Sequence, residues 1–239
     1  MDKELKRITK TVKNKKEYKI YLLAPKFIMN YMNKLKIIYN KEKVEEKLTY
    51  FWIALKSIDI EMEKNNYKGE KYIDILLGKK VYVKSFGILI TKKLSEYIKA
   101  KKTKKEFIKL YKTVLKEKNS KNIKELIKLR RKTGDCLAIC IKELIKKEIL
   151  KKSKENVKLD EFLHESMKMT QLMDSYVDLY DDYKKGELKF KPTSKDKKEL
   201  KKELLKDTSR NTIKYPLTGL MLIFGIKYLK KTSKNLFPN

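Results

Sequence analysis

The stretch from Gln171 to Gly186 reads QLMDSYVDLYDDYKKG, a concentration of aspartates in a basic chain. Asp174 and Asp178 are four residues apart, and Asp181 and Asp182 follow one turn later. On a helix, Asp174, Asp178 and Asp182 therefore share one face. Like charges at this spacing repel unless something neutralises them. A Mg²⁺ ion bridged to substrate phosphates would do so, because Mg²⁺ takes one or two carboxylates and fills its other positions with phosphate oxygens and water. The competing reading is a solvated acidic face, partly neutralised by Lys184 and Lys185. The acids alternate with Leu172, Met173, Tyr176 and Val177, which suggests an edge between core and cavity. A second pair at the same spacing, Asp59 and Glu63, lies in WIALKSIDIEME, with Glu61 on another face.

The elements that must position these acids read as helices. Apolar residues recur every three to four positions over 17–38, with Pro25 as a break, and over 42–64. Residues 71–98 form another apolar segment, with Gly78 and Gly87 explained by close helix contact. Two amphipathic helices follow over 104–118 and 121–150, with Ser120 as N-cap of the second. A long helix spans 158–185 and stops at Gly186. Residues 1–16 read as a basic tail, 189–210 as a lid or loop with a short exposed helix, and 212–231 as a last helix. No repeat, linker or heptad interrupts 1–239, so one domain is the simplest description.

Composition agrees with an all-α bundle. The chain of 239 residues has 41% apolar residues but only 7 Gly and 4 Pro, too few turn formers for a sandwich or a Rossmann sheet. The formal charge is +31, from 62 Lys+Arg against 31 Asp+Glu. Such a charge favours polyanions: nucleic acid, anionic membranes or diphosphates. The excess is Lys with Ile, Asn and Tyr, a codon-driven pattern, and Arg is confined to positions 7, 130, 131 and 210. Arginine is the residue of bidentate phosphate and base contacts, so no specific nucleic-acid partner is expected. Cys136 and Cys140 read as small buried residues rather than zinc ligands, and no disulfide framework exists, which fits a reducing cytosol. The N-terminus lacks an apolar h-region. The run Tyr215 to Leu229 is too short for a bilayer and reads as a core helix, with weak peripheral membrane contact as the minor alternative.

QLMDSYVDLYDD resembles the second aspartate-rich motif of the trans-prenyltransferases, F-Q-x-x-D-D-x-x-D-x-x-x-D, with Gln171, Asp174, Asp178 and Asp182 on matching positions. Upstream, Arg131-Lys132-Thr133-Gly134 resembles the family's Lys-Thr-Gly helix, at a similar distance from Gln171. Downstream, Lys191-Pro192 with Asp196 resembles its lid loop, and Thr212 with Pro216 its Thr-Leu-Pro helix. The resemblance covers about residues 130–225. It implies the isoprenoid-synthase fold, with Mg²⁺ held on an allylic prenyl diphosphate by Asp174, Asp178 and Asp182. It further implies that Lys132, Thr133, Gln171 and Lys191 contact the substrate, and that the chain forms a homodimer or a heterodimer with a prenyltransferase subunit.

The departures are specific. Ser175 replaces the second Asp of the motif. The first aspartate motif is reduced to Asp59 and Glu63, and Lys79 stands in the Asp position of the LLGKK helix. The Gly-Lys-Arg-x-Arg-Pro element has no counterpart. Three functions follow: an enzyme that ionises or transfers a prenyl group, a non-catalytic companion subunit, or a basic helical nucleic-acid or membrane-surface protein. The squalene/phytoene-type synthases have a helix similar to LMDSYVDLYDDYKKGELKF and rank second, because Lys-Thr-Gly and its distance to Gln171 fit the prenyltransferases better.

Overall fold

The computed structural model describes residues 3–65, 70–82, 85–151 and 153–214. Among these the chain is all-α: nine α-helices, two short 3-10 turns and no strand, with one isolated bridge between Tyr39 and Ile149. None of the helices is long and apolar enough to cross a membrane. The backbone falls into two compact units, one of residues 1–111 and 139–160, the other of 112–138 and 161–239.

The first unit contains α1 (Lys3–Lys13), α2 (Lys19–Lys34), α3 (Lys41–Asn65), α4 (Glu70–Leu76) and α5 (Phe86–Tyr97). Its centre is α3, where Thr49, Tyr50, Phe51, Trp52, Ile53 and Ala54 are all buried. A helix apolar on every side needs neighbours on every side, and α2 and α5 both pack on α3. Edge-to-face aromatic pairs add further links in this unit, Phe51 of α3 with Phe107 at 5.6 Å and Tyr18 with Phe86 of α5 at 6.5 Å between centroids.

Several expectations change here. The basic tail is helix α1, because Leu5, Ile8 and Val12 form a stripe at three-to-four spacing and are buried. Pro25 does not break its segment but lies inside α2. Proline in a helix interior costs about 3 kcal/mol, a cost opposed by burial of Ile28, Met29, Tyr31 and Met32 beyond it. The 71–98 segment is two helices, α4 and α5. Gly78 is not a helix contact: it has φ +82° just past the end of α4, with open space beside it. Gly87 does sit in close contact, as expected, but with a side chain: a Cβ there would stand 2.7 Å from Glu61 Oε2.

The second unit is drawn from the end of α6 (Lys101–Glu117), most of α7 (Ile123–Ile145), most of α8 (Glu155–Lys184) and α9 (Ser194–Lys214). Ile123, Leu126, Ile127, Met169, Leu172, Leu179, Leu188, Leu200 and Leu204 form its core. The N-cap of α7 is Asn122, whose Oδ1 accepts from the Glu125 N–H at 2.9 Å. Ser120, expected in that role, is buried and donates instead to the Glu117 carbonyl. Gly186, at φ +74°, ends α8 as expected, and the Glu187 N–H returns to the Asp182 carbonyl.

Most of 189–210, expected as a lid or loop with a short exposed helix, belongs to the 21-residue α9 (Ser194–Lys214). Thr193 and Asp196 cap its start reciprocally. Leu200 and Leu204 bury one side, and Arg131 clamps the positions next to them, donating to Glu203 and Asp207 at 2.8 Å each. The charge density that suggested a loop thus includes the anchors of a helix. Of the last expected helix, 212–231, residues 212–214 are the end of α9 and the rest lies outside the described residues. Cys136 and Cys140 are buried, as expected, and form no disulfide.

Candidate functional site

The second unit holds the acidic motif, and a glycine sets its geometry. A Cβ on Gly134 would come within 2.5 Å of the Lys168 backbone, so α7 and α8 touch main chain to main chain there. Arg130 lies one turn before Gly134 on the same face of α7, and Gln171 and Asp174 follow Lys168 along the matching face of α8. The crossing therefore delivers the Arg130 guanidinium onto the motif.

Arg130 donates to Asp174 Oδ2 at 3.3 Å and to Gln171 Oε1 at 3.4 Å through one terminal nitrogen. Its other terminal nitrogen lies 3.6 Å from Asp182 Oδ2, and its Nε lies 3.5 Å from Glu117 Oε2. Glu117 ends α6 and accepts a hydrogen bond from the Thr133 hydroxyl. Asp178 stands half-buried on the same face of α8, between Asp174 and Asp182. One cation thus serves three carboxylates and an amide. All four contacts are longer than the 2.7–2.9 Å typical of tight charged hydrogen bonds, and the Arg130 Nε makes no hydrogen bond.

The cluster is closed at one end and open at the other. Side-chain exposure is 6% for Glu117, 13% for Asp182 and 15% for Arg130, but 51% for Asp174. Burial pushes Asp182 up to about 7; Arg130 opposes this, while Asp174, Glu187 and Asp178 add to it. Burial likewise raises Glu117, against the pull of Arg130 and Thr133. Burial disfavours the Arg130 charge, yet the surrounding carboxylates outweigh it and raise the guanidinium further. The carboxylates exceed what one guanidinium neutralises, and the excess sits at the solvent-facing end.

Of the residues expected from sequence, Thr133, Gln171, Asp174, Asp178 and Asp182 come together. Lys132 and Lys191 do not: both are exposed. Ser175, where the resembled motif has Asp, is buried and its hydroxyl has no hydrogen-bond partner. Asp59, in the first unit, is bonded to Lys56 at 2.6 Å. Glu63 belongs to α3, but its side chain lies outside the described residues. Arg130 and Glu117 were missed. The signal for Arg130 was the rarity of arginine itself: a planar fork is the side chain that several carboxylates can share.

No group of three or more His, Cys, Asp or Glu among the described residues is gathered to hold a metal alone. The donor set nonetheless fits Mg²⁺ in its usual protein setting, since Asp174 and Asp178 supply hard oxygens one turn apart and phosphate would supply the rest. No protein-family model, curated protein or solved structure matches the chain.

Proposed function

We propose that the second unit binds an allylic prenyl diphosphate through Mg²⁺ at the open end of the α8 acidic face, in support of prenyl ionisation or transfer. The observation that carries this is convergence. Gln171, Asp174 and Asp182, singled out by motif position, meet one guanidinium, Thr133 reaches it through Glu117, and Asp178 lies between the two aspartates on the same helix face.

In this reading Asp174 and Asp178 hold the metal. Bound Mg²⁺ would act as a Lewis acid on the diphosphate as the allylic C–O bond breaks and its electron pair leaves with the phosphate. Arg130 sits where a diphosphate oxygen would compete with Asp174 for its terminal nitrogen. Gln171 orients that nitrogen through its amide oxygen. Glu117 and Thr133 hold the guanidinium from the buried side, so the donor is already placed when charge develops on the leaving group.

The test is thermal unfolding with Mg²⁺ and farnesyl or geranylgeranyl diphosphate. Together they are expected to raise Tm by several degrees, because a ligand that binds only the folded form stabilises it by mass action. Asp174→Ala and Asp178→Ala are each expected to remove the rise. If neither diphosphate with Mg²⁺ shifts the wild-type protein, the reading fails.

One observation favours a companion-subunit form of this reading. In the first unit two acids of the early helix are engaged within the fold: Asp59 with Lys56, and Glu61 with Tyr72, Ser85 and Gly87. Lys79, in the resembled motif's Asp position, pairs with Asp74 at 2.8 Å. Co-purification of a prenyltransferase carrying two intact aspartate motifs supports the companion form; a homodimer by light scattering, active alone on an allylic diphosphate, excludes it.

A further inference from the structure

On the other side of α8 from the acids, Tyr176 and Tyr180 stand one turn apart and form the wall of a cleft of about 270 Å³. The start of α9 forms the opposite wall, with Ser194, Lys197, Lys198 and Lys201. No carboxylate among the described residues lines this space. Lys197 lies over both rings, its Nζ 5.3 Å from the Tyr176 centroid and 4.9 Å from that of Tyr180. Lys198 and Lys201 form no ion pair among the described residues, unlike Arg131 on the neighbouring helix, which holds two acids of α9.

Three ammonium groups at positions 197, 198 and 201 crowd one face at helical spacing and repel one another. An anion seated between them would relieve that repulsion. The tyrosines add a second requirement. Both are partly buried, Tyr176 packs on the unit's core, and among the described residues neither hydroxyl has a hydrogen-bond partner. A ring face that carries an ammonium can accept a planar ring in its place, because stacking and cation–π contact use the same face. Phosphate beside stacking aromatics is the recognition chemistry of nucleotides.

We propose that this cleft binds a nucleotide unit, its phosphate among Lys197, Lys198 and Lys201 and its base on the Tyr176–Tyr180 pair. The site is independent of the acidic face and survives if the diphosphate reading fails. The nucleotide can come free or as part of a single strand, and the chemistry is shared.

Binding is measured by titrating AMP, ADP, inorganic phosphate and a ten-residue single-stranded oligonucleotide, at constant ionic strength. AMP or ADP is expected to bind at least tenfold more tightly than inorganic phosphate. Stronger binding of free nucleotide than of oligonucleotide, per nucleotide, assigns the source to the free form, and the reverse to the strand. Lys198→Gln with Lys201→Gln is expected to weaken binding at least tenfold. Lys104→Gln with Lys105→Gln, an equal charge change in the first unit, is expected to leave it within twofold. Tyr180→Leu, with Tm measured alongside, is expected to remove the preference for nucleotide over phosphate. Equal loss from both lysine pairs would mean attraction to net charge alone and overturn the proposal. So would equal affinity for AMP and phosphate, or no binding of any probe.

Discussion

Each unit contains a polar hub beside a close-packed glycine, and the two hubs differ in charge balance. In the first, the Glu61 carboxylate accepts from the Tyr72 hydroxyl, from Ser85 Oγ at 2.7 Å and from the Gly87 N–H at 2.6 Å. Three neutral donors surround one anion at the start of α5, where the helix dipole also favours negative charge. The need is met, and the hub joins α3, α4 and α5. In the second, Arg130 faces Glu117, Asp174 and Asp182 at 3.3–3.6 Å, and no pair is tight. A satisfied hub is a fastening. An oversubscribed one stores electrostatic tension that a ligand can relieve, and such local conflict marks functional sites.

The glycines differ in the same way. A Cβ at Gly87 would meet the end of a side chain, whereas one at Gly134 would meet backbone. Gly134→Ala is therefore expected to have the largest effect, a loss of about 3 kcal/mol from forcing two helices apart, read by urea unfolding. A loss under about 0.5 kcal/mol would remove the crossing as the feature that places Arg130. Glu61→Ala comes next, with an expected loss of about 2 kcal/mol from orphaned donors. If its effect matched that of a typical surface substitution, the hub would not be a fastening.

Asp182→Asn tests the oversubscribed hub and should have the opposite sign. An acid held at about 7 when folded, against an ordinary 3.8, binds its proton more readily in the folded state. Its contribution to stability is complete below about pH 4 and is lost as pH rises through 7. The wild-type protein is thus expected to melt higher at pH 5 than at pH 8 from this group. Asp182→Asn should flatten that slope and add about 1 kcal/mol at pH 8. A destabilised Asp182→Asn at pH 8 would show that the Arg130 contact outweighs burial. The smallest effect is expected from Lys132→Gln, within about 0.5 kcal/mol because the side chain is exposed. A larger loss would return Lys132 to the hub.

Sequence periodicity reached the helices with strong apolar stripes, and the Gly186 stop of α8. It missed α1 and made α9 too short and too exposed, because their stripes of Leu5, Ile8, Val12 and of Leu200, Leu204 are thin beneath dense lysine. It also split α2 at Pro25, where packing beyond the proline keeps the helix whole. In the site, the acids of α8 were legible and their partner was not. Motif position pointed to Lys132, but Arg130, two residues earlier, is the residue turned toward α8.

What the sequence settled alone was local: a 3.6-residue period places Asp174, Asp178 and Asp182 on one face whatever surrounds them. What only the tertiary structure decided was the charge balance of that face. Which cation reaches it depends on where Gly134 lets two backbones meet, and the elevation of Asp182 depends on burial by residues distant in sequence. Desolvation and long-range pairing are properties of packing, and no window of sequence contains them.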